Sequence, residues 1–399
     1  MPSRRRFVAG TGVVVAGASV GHTVASAGLE PAPADWPLPR CDAACTGHNP
    51  AGSGPTDGVA VRWEHETDDT FAGPAPPILV DGTLFAVGRE TIAAFDAATG
   101  EKRFDRPGSY VSAPAWVGSD VYRTDSLAVM GRTGIFGLNA GGGYELAGWS
   151  IGTERWHAPG RDPSSRLYAS PAEHAPVATD GTVFAAVPET NRVVALDADS
   201  GRVEWRHAVG DPRSSPLHRP AVRDGVAFLA KWPHDLHAVD ADTGEVLWNV
   251  TVDVRLLTPP TATGSGVVIS GRDTTALVDP RDGHTRWTYD HDGNVTDGSA
   301  AVADNTVFLT DGDGFLHAVD LASGDAVWSV EYNRQVDPIV ADGVVYVAYN
   351  WTNDVTAFDA ATGDRLWTWE GPAGPSQPIV GDGVLFVVGF DRIVALEEP

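Results

Sequence analysis

The sequence predicts an all-β fold, a β-propeller of eight four-stranded antiparallel blades. An apolar pair, Asp, three residues, Gly and then an aromatic residue recur six times, with steps of about 40 residues from the second copy onward. Asp-Gly pairs mark the first turn of most units, and the apolar residues lack the period of a helix. Seven blades is the fallback count. The aspartates of the six copies are Asp96, Asp197, Asp240, Asp279, Asp320 and Asp359.

Residues 336–369 show the repeating unit most clearly. Four short runs rich in β-branched and aromatic residues are separated by turn residues, a pattern typical of an antiparallel meander. The first turn is Asp342-Gly343, because a two-residue hairpin needs positive φ and Gly supplies it without strain. The second turn ends at Gly363. The predicted strands are 336–340, 344–348, 354–359 and 365–369.

The aromatic residue of each unit falls on the fourth strand, usually as Trp. We expect each ring to lie between adjacent blades, where burial contributes roughly 1.5 to 3 kcal/mol. Trp205 and Trp248 are examples.

Two degenerate units complete the ring. Gly134–Asn139 is predicted as a third strand, with Asn139 in place of Asp. The final run, 392–396, is a third strand with no fourth strand after it. The segment 59–65 has the Trp of a fourth strand but no unit before it, so pairing it with 392–396 would close the circle and remove an exposed edge.

Charge excludes several classes of partner. The chain has 399 residues, with 28 Lys and Arg against 53 Asp and Glu, a formal net charge of −25. Such a surface repels nucleic acid and anionic membranes. Lys102 and Lys231 are the only lysines, and an acidic excess with few lysines favours a halophilic protein. An acidic secreted protein is the alternative.

The N-terminal segment predicts export. Arginines at 4–6 followed by Phe7 precede an apolar run to about Val20, and this pattern is typical of a twin-arginine signal. A plain secretory signal or an uncleaved anchor is the alternative. We divide the chain into a signal peptide (1–27), a lead segment (28–58) and one propeller (59–399), with no membrane span in the mature chain. The predicted location is extracellular or at the cell surface.

Cys41 and Cys45 both lie in the lead segment, and an exported protein can keep such a pair oxidised. A local disulfide is predicted, with structural or unpaired thiols as the alternative. No metal site is expected, since a closed zinc site needs four ligands and only His48 lies nearby. Asn249, Asn294 and Asn350 begin acceptor sequons for surface glycosylation.

The run Ala195-Leu196-Asp197 to Gly201 followed by Trp205, with matching patterns at 239–248 and 358–367, resembles the pyrroloquinoline-quinone (PQQ) type of propeller repeat. The lead from Trp36 to Pro50 also resembles the opening that accompanies these repeats in exported proteins of salt-loving microbes. The same blade occurs in quinoprotein dehydrogenases and in the outer-membrane barrel-assembly scaffold lipoprotein, so the resemblance implies the fold more than the activity. The dehydrogenases carry adjacent cysteines and calcium ligands that have no counterpart at numbered positions here.

In a propeller, the residues just before each first strand converge on the central channel, which is the default place for a ligand. We call these residues the channel rim. The alternative is that they only cap strands around a water-filled funnel. The rim residues are Ser112, His174, His218, Arg219, Thr258, Ser299, Asp337 and Gln377.

The step between Asn139 and Asp197 is longer than its neighbours, and the spacing predicts that the surplus lies at about 151–173. Arg155 and Trp156 belong to this surplus, which is predicted to cover an anionic or sugar-like ligand at the rim. A variable surface insertion is the alternative. Trp232 and Trp351, in loops between second and third strands, are predicted to add exposed aromatics to the same face.

Two functions follow from the sequence. The favoured one is a non-catalytic binding scaffold, exported to the cell surface, that holds a protein or glycan partner and needs no cofactor. The alternative is a PQQ-dependent oxidoreductase with calcium, using His174, His218, Arg219 and Asp337. The sequence favours the scaffold, because no base and no cation site could be matched.

Overall fold

A computed structural model describes residues 31–67, 75–88, 90–131, 133–146, 149–158, 175–187, 190–211, 217–291, 293, 298–334, 336–349 and 351–399. Secondary structure in these residues is strand and turn, and they include no helix that is long and apolar enough to cross a membrane. The predicted signal peptide lies outside them.

Eight sheets, each with a four-stranded antiparallel meander, form the predicted propeller. Turns one and three of a blade lie on one face of the ring. The second-to-third loop and the link to the next blade lie on the other, which we call the funnel face. From the axis outward, the strands of blades 1 to 4 are Ile78–Val80, Thr83–Val87, Thr91–Asp96 and Lys102–Pro107; Ala115–Val117, Ser126–Gly131, Gly134–Asn139 and Glu154–Ala158; Val177–Thr179, Thr182–Ala186, Arg192–Asp197 and Val203–Ala208; Ala221–Arg223, Val226–Lys231, Asp235–Asp240 and Val246–Thr251.

Blades 5 to 8 repeat the pattern, with the innermost strand always short. Their strands are Thr261–Thr263, Gly266–Ser270, Thr274–Val278 and Thr285–Asp290; Ala301–Ala303, Thr306–Thr310, Phe315–Asp320 and Ala326–Glu331; Ile339–Ala341, Val344–Tyr349, Asp354–Asp359 and Arg365–Glu370; Ile379–Gly381, Val384–Val388, Arg392–Glu397 and Ala60–Glu66.

The Asp of the repeat caps the turn between the third and fourth strands of its blade. In blade 7 the Oδ1 of Asp359 accepts hydrogen bonds from the backbone N–H of Ala361 at 2.9 Å and of Thr362 at 2.8 Å. Asn139 does the same in blade 2, where its Oδ1 accepts from the N–H of Gly141 at 2.9 Å. This explains why Asn can replace Asp in the degenerate unit.

Blade 2 carries the irregularity of the ring. Gly134–Asn139 is its third strand, as predicted. A separate hairpin of Tyr144–Leu146 and Trp149–Ile151 precedes the fourth strand, Glu154–Ala158. The predicted insertion at 151–173 is therefore wrong in its first part, because that stretch supplies the outermost strand of the blade. Residues 159–174 lie outside the described part of the chain.

The ring closes by pairing the two ends of the propeller in blade 8. The fourth strand, Ala60–Glu66, runs antiparallel to Arg392–Glu397, with Trp63 opposite Ala395 and His65 opposite Ile393. This is the predicted closure, and it explains why the last unit has no fourth strand of its own.

An aromatic side chain links each blade to the next. In seven blades the ring lies against the glycine in the turn between the third and fourth strands of the next blade. Each tryptophan of the set donates its indole N–H to a backbone carbonyl, which lies in that same turn except for Trp367, whose acceptor is Pro55 of the lead segment. Phe104 takes the place of Trp in blade 1, and a Cβ at Gly142 would lie 2.7 Å from its ring. The donor and acceptor pairs are Trp63–Ala97, Trp156–Ala198, Trp205–Ala241, Trp248–Pro280, Trp287–Leu321, Trp328–Ala360 and Trp367–Pro55.

The lead segment lies inside the ring and bonds to the innermost strands of six blades and to the first turn of blade 8. Trp36 exchanges two backbone hydrogen bonds with Leu79 of blade 1, and His48–Asn49 adds a parallel strand to blade 7. The chain thus passes around the axis and fills the channel from within. In blade 8 the N–H of Gly383, in the first turn, donates to the Ser53 carbonyl. The other contacts, from inner-strand N–H to lead carbonyl, are Trp116 to Pro37, Val222 to Ala43, Ala262 to Ala44, Val302 to Thr46 and Val340 to Gly47.

Candidate functional site

Four of the predicted rim residues meet at the centre of the ring, although they come from different blades. Arg219 precedes the first strand of blade 4, Ser299 that of blade 6, Asp337 that of blade 7 and Gln377 that of blade 8. Arg219, Ser299 and Gln377 are buried. The sequence predicted that the rim residues converge on the channel, but it did not predict that they are buried.

Arg40 of the lead segment occupies the middle of this group. Its Nη1 donates to Oε1 of Gln377 at 2.9 Å, and its Nη2 donates to the carbonyls of Ala300 at 3.1 Å and Ser299 at 3.4 Å. The Oδ1 of Asp337 lies 3.9 Å from Nη1. The side chain is 1% exposed. The channel centre is therefore filled by a residue of the protein itself.

The rim side chains also bond to one another. The Oδ1 of Asp337 accepts from the N–H of Ser299 at 2.6 Å, and Nη2 of Arg219 donates to the Ser299 hydroxyl at 3.0 Å. Gln377 completes the group by donating from Nε2 to the Pro39 carbonyl at 2.9 Å. We call Arg40, Arg219, Ser299, Asp337 and Gln377 the central network.

Two guanidinium groups and one carboxylate share this enclosed space. Burial lowers the pKa of Arg40 to about 10, Asp337 opposes that shift and Arg219 adds to it. The central network thus balances a buried positive charge mainly with a single carboxylate and backbone carbonyls.

Two of the remaining rim residues, Ser112 and Thr258, bond within their own blades. The Ser112 hydroxyl accepts from the N–H of Met130 at 2.9 Å, and Thr258 donates to the Ser270 carbonyl at 3.3 Å. His218 is buried, and its Nε2 lies 3.4 Å from the carbonyl oxygen of Leu256. His174 lies outside the described residues. For Ser112 and Thr258, the strand-capping alternative describes what the structure has.

The disulfide predicted between Cys41 and Cys45 is not formed, since the structure has both thiols free and buried. Cys41 packs with Trp36 and Leu79, whereas Cys45 packs in a different hydrophobic cluster with Leu217 and other residues. Both residues have positive φ, 72° and 62°, at turns of the lead segment. The two side chains therefore serve separate parts of the channel wall.

The predicted ligand cover of Arg155 and Trp156 is wrong. Trp156 is 6% exposed and is the aromatic link between blades 2 and 3. Arg155 is bonded near the opposite face, with Nη1 donating to the Ser126 hydroxyl at 2.7 Å and its guanidinium carbon 4.2 Å from the Tyr122 ring centre. Neither side chain lies over the rim.

The other residues predicted at the surface differ in their exposure. Trp351 is 83% exposed in the second-to-third loop of blade 7, and Trp232 is half-buried in the same loop of blade 4. Asn249 is exposed on the fourth strand of blade 4. Asn294 and Asn350 lie outside the part of the chain that the structure describes.

The side chains of the central network hold the lead segment in place and do not form a calcium site. Calcium takes about six to eight oxygen ligands, several of them carboxylates, and Asp337 is the one carboxylate of the central network. Across the described residues no group of three or more His, Cys, Asp and Glu side chains could hold a metal ion. The side chains present therefore do not fit the calcium that would accompany PQQ.

Sequence reasoning missed Arg40, the residue around which the site is built. Its position just before Cys41 in a turn-rich lead gave no sign that the lead enters the ring. A usable signal would have been a lone arginine flanked by small and apolar residues, because such a charge needs partners supplied by other parts of the chain.

Comparison with known proteins agrees with the repeat pattern. A family model for PQQ-type repeats, described as "Outer membrane protein assembly factor BamB", matches residues 145–231, 189–277 and 271–398. Outer membrane protein assembly factor BamB of Yersinia pestis is 27% identical over 252 residues, covering 56% of this chain and 63% of that protein. The chain spans less than two thirds of the length of the first curated relatives it matches.

Solved propellers superpose on the ring. The crystal structure of BamB from Moraxella catarrhalis matches with a TM-score of 0.66 and 15% identity, over 85% of this chain and 100% of that one. Quinohemoprotein alcohol dehydrogenase from Comamonas testosteroni matches with a TM-score of 0.68 and 15% identity, over 91% of this chain and 80% of that one. At these identities the likeness concerns the fold alone.

Proposed function

Because this chain belongs to the family of PQQ-type repeat propellers described as outer membrane protein assembly factor BamB, we propose that it is an exported, non-catalytic scaffold of the cell envelope. It holds a protein or glycan partner on its funnel face. The observation that carries the proposal is the occupation of the channel by Arg40, which bonds to Gln377 and lies beside Asp337 where a channel ligand would otherwise sit.

A partner surface on the funnel face has an exposed aromatic anchor. Trp351 projects from a loop of blade 7, and aromatic residues dominate the binding energy of many protein interfaces and stack on sugar rings. The curated relatives named for outer membrane protein assembly support a protein partner in the envelope.

Pull-down from the native envelope fraction tests the partner surface. We expect the wild-type chain to retain a partner that the Trp351→Ala variant loses. Leu247→Ala is the matched control, because Leu247 is an exposed apolar residue on the fourth strand of blade 4. Equal retention by all three chains would contradict the proposed surface.

Addition of PQQ with calcium in high salt tests the oxidoreductase alternative. As a scaffold without a cofactor, the protein should keep its absorbance spectrum and its thermal midpoint. A shift in either that the His218→Ala variant abolishes would instead favour the quinoprotein dehydrogenase function.

Export by the twin-arginine route and adaptation to high salt are further parts of the proposal. A fusion of residues 1–35 to a folded reporter should leave the cytoplasm, and replacing Arg4, Arg5 and Arg6 with Lys should stop it. The thermal midpoint of the folded chain should rise with potassium chloride, because salt screens the repulsion within a surface of net charge −25.

A further inference from the structure

A cavity of about 480 Å³ opens in the seam between blades 6 and 7, away from the central network. One wall comes from blade 6, at the end of its fourth strand and its second-to-third loop, and the other from the third and fourth strands of blade 7. Its volume lies within the range of small-molecule sites. The lining residues are Gly314, Phe315, Glu331, Tyr332, Asn333, Arg334, Asp354, Thr356, Arg365 and Thr368.

Tyr332 is one of the residues that line this cavity, and its hydroxyl is buried and has no hydrogen-bond partner among the described residues. The residue is only 7% exposed, and its ring packs edge-on against Phe358 with centroids 5.6 Å apart. Burial raises the pKa of Tyr332 well above its usual range, so the phenol keeps its proton. The buried phenol can therefore donate a hydrogen bond to an acceptor that a ligand supplies.

The other blades show that packing alone does not require this hydroxyl. Tyr332 lies four residues after the linking Trp328, and its N–H donates to the Gly314 carbonyl at 2.7 Å. Val209 and Val252 occupy the same position in blades 3 and 4, are buried and make the equivalent backbone bond. An apolar residue therefore satisfies the fold there, whereas an unbonded buried hydroxyl costs stability.

Arg334 adds a second unsatisfied donor. Its Nε is buried without a hydrogen-bond partner in the described part of the chain, and its guanidinium carbon lies 4.7 Å from the Tyr349 ring centre. Arg365 lines the same cavity with another guanidinium group. The Arg334 Nε–H can only donate and the Tyr332 hydroxyl can donate as well as accept, so one acceptor suits both, and the two guanidinium groups favour a carboxylate.

The rest of the lining selects what bears that carboxylate. Asp354 and Glu331 offer acceptors for hydroxyl groups, and the hydroxyls of Thr356 and Thr368 lie 3.1 Å apart on the blade 7 wall. The ring of Phe315 is 42% exposed and offers an apolar face for a sugar ring.

We propose that the seam between blades 6 and 7 binds the carboxylate of a hydroxylated sugar acid, a uronic acid residue, through Tyr332, Arg334 and Arg365. This site lies on the funnel face beside the Trp351 loop and deepens the glycan part of the proposed function, but none of its residues belongs to the central network or to that loop, so Trp351→Ala and Tyr332→Phe test the two proposals separately.

Titration calorimetry on the full exported chain tests the site with three probes: sodium glucuronate, glucose and sodium acetate. Glucuronate should bind, and each of the other two should bind at least about tenfold more weakly, because each lacks one half of the recognised chemistry. Tyr332→Phe should weaken glucuronate binding by about tenfold or more, the effect of one hydrogen bond to a charged acceptor, and Arg334→Ala by about ten- to a hundredfold.

Tyr289→Phe is the matched control, because the Tyr289 hydroxyl lies in the neighbouring seam, 3.0 Å from Nδ1 of His317. It should leave glucuronate affinity unchanged. The thermal midpoint of each variant reports whether it is folded, and Tyr332→Phe keeps the packed ring. The proposal is overturned if glucuronate gives no binding heat, if glucose or acetate binds as tightly, or if Tyr332→Phe and Tyr289→Phe bind glucuronate alike.

Discussion

Arg40 and Gln377, 337 positions apart in the chain, hold each other at the centre of the ring. The amide of Gln377 accepts from the guanidinium of Arg40 and donates to the Pro39 carbonyl, both at 2.9 Å. The pair fastens the lead segment to the last blade, so the stability of the propeller and the position of the lead depend on each other.

Replacement of Arg40 should therefore be severe. We expect Arg40→Leu to lower the free energy of unfolding by about 3 to 5 kcal/mol, because it removes the positive charge beside Asp337 and the donor to the buried Gln377 amide oxygen. Denaturant unfolding measures the change. Arg62→Ala, at an exposed arginine paired with Glu397, should change it by less than about 0.5 kcal/mol. Similar effects of the two substitutions would contradict a central role for Arg40.

The linking tryptophans give a second stability prediction. Trp248→Ala should cost about 3 kcal/mol, because it opens a cavity against Gly283 of the next blade and removes the hydrogen bond to the Pro280 carbonyl. Thermal or denaturant unfolding measures the loss. Trp351→Ala, at an exposed indole, should be close to neutral, and equal losses at both positions would argue against the interblade role.

Paired histidines predict how stability depends on pH. Nε2 of His207 lies 2.9 Å from Nδ1 of His237, and burial lowers the pKa of both below 6.5. His207 lowers the pKa of His237 further, whereas Asp235 opposes the shift. Below pH 6.5 the unfolded chain therefore binds protons that the folded chain does not, and stability falls as the pH drops through this window.

Replacing His207 and His237 together with Gln tests this dependence. The free energy of unfolding of the double variant should change less between pH 7.5 and pH 5.5 than that of the wild type. This pH range extends about one unit on either side of the ordinary histidine pKa. His48 and His291 also have pKa values lowered by burial, so a smaller slope should persist. An unchanged slope would mean that the pair titrates normally in the folded protein.

The two cysteines give a chemical test of the lead segment. Burial raises the pKa of both Cys41 and Cys45, and the thiolate is the reactive form. Ellman's reagent at mildly alkaline pH should therefore react slowly with the native protein and rapidly with two thiols after unfolding. Unfolded protein that shows no free thiol would instead support the disulfide expected from the sequence.

The sequence predicted the ring well because its signals are local. The turn between the third and fourth strands needs a capping Asp and a glycine, and an aromatic residue follows at a fixed offset. Asp240, Gly244 and Trp248 therefore identify a blade without any knowledge of the tertiary structure. The closure was predictable for the same reason, since Trp63 is a fourth-strand residue without a strand before it.

The centre of the site was not predictable in the same way. Arg40 has no repeated neighbour, and its partners come from three other blades, so nothing local indicates where its guanidinium lies. Trp156 was misplaced because an added hairpin separates it from Asn139 and breaks the usual offset. A tertiary arrangement, not a local pattern, decides the role of each of these residues.

Pairing of Ala60–Glu66 with Arg392–Glu397 has a consequence for synthesis. The pairing partner of Ala60–Glu66 is synthesised after all the other blades, so the circle cannot be completed until Arg392–Glu397 has left the ribosome. Until then Ala60–Glu66 has no pairing strand, and a nascent or truncated chain exposes an open β-edge to other molecules. Recognition of an incomplete ring can therefore rest on the exposed edge of blade 8, which stays unpaired until Arg392–Glu397 has docked.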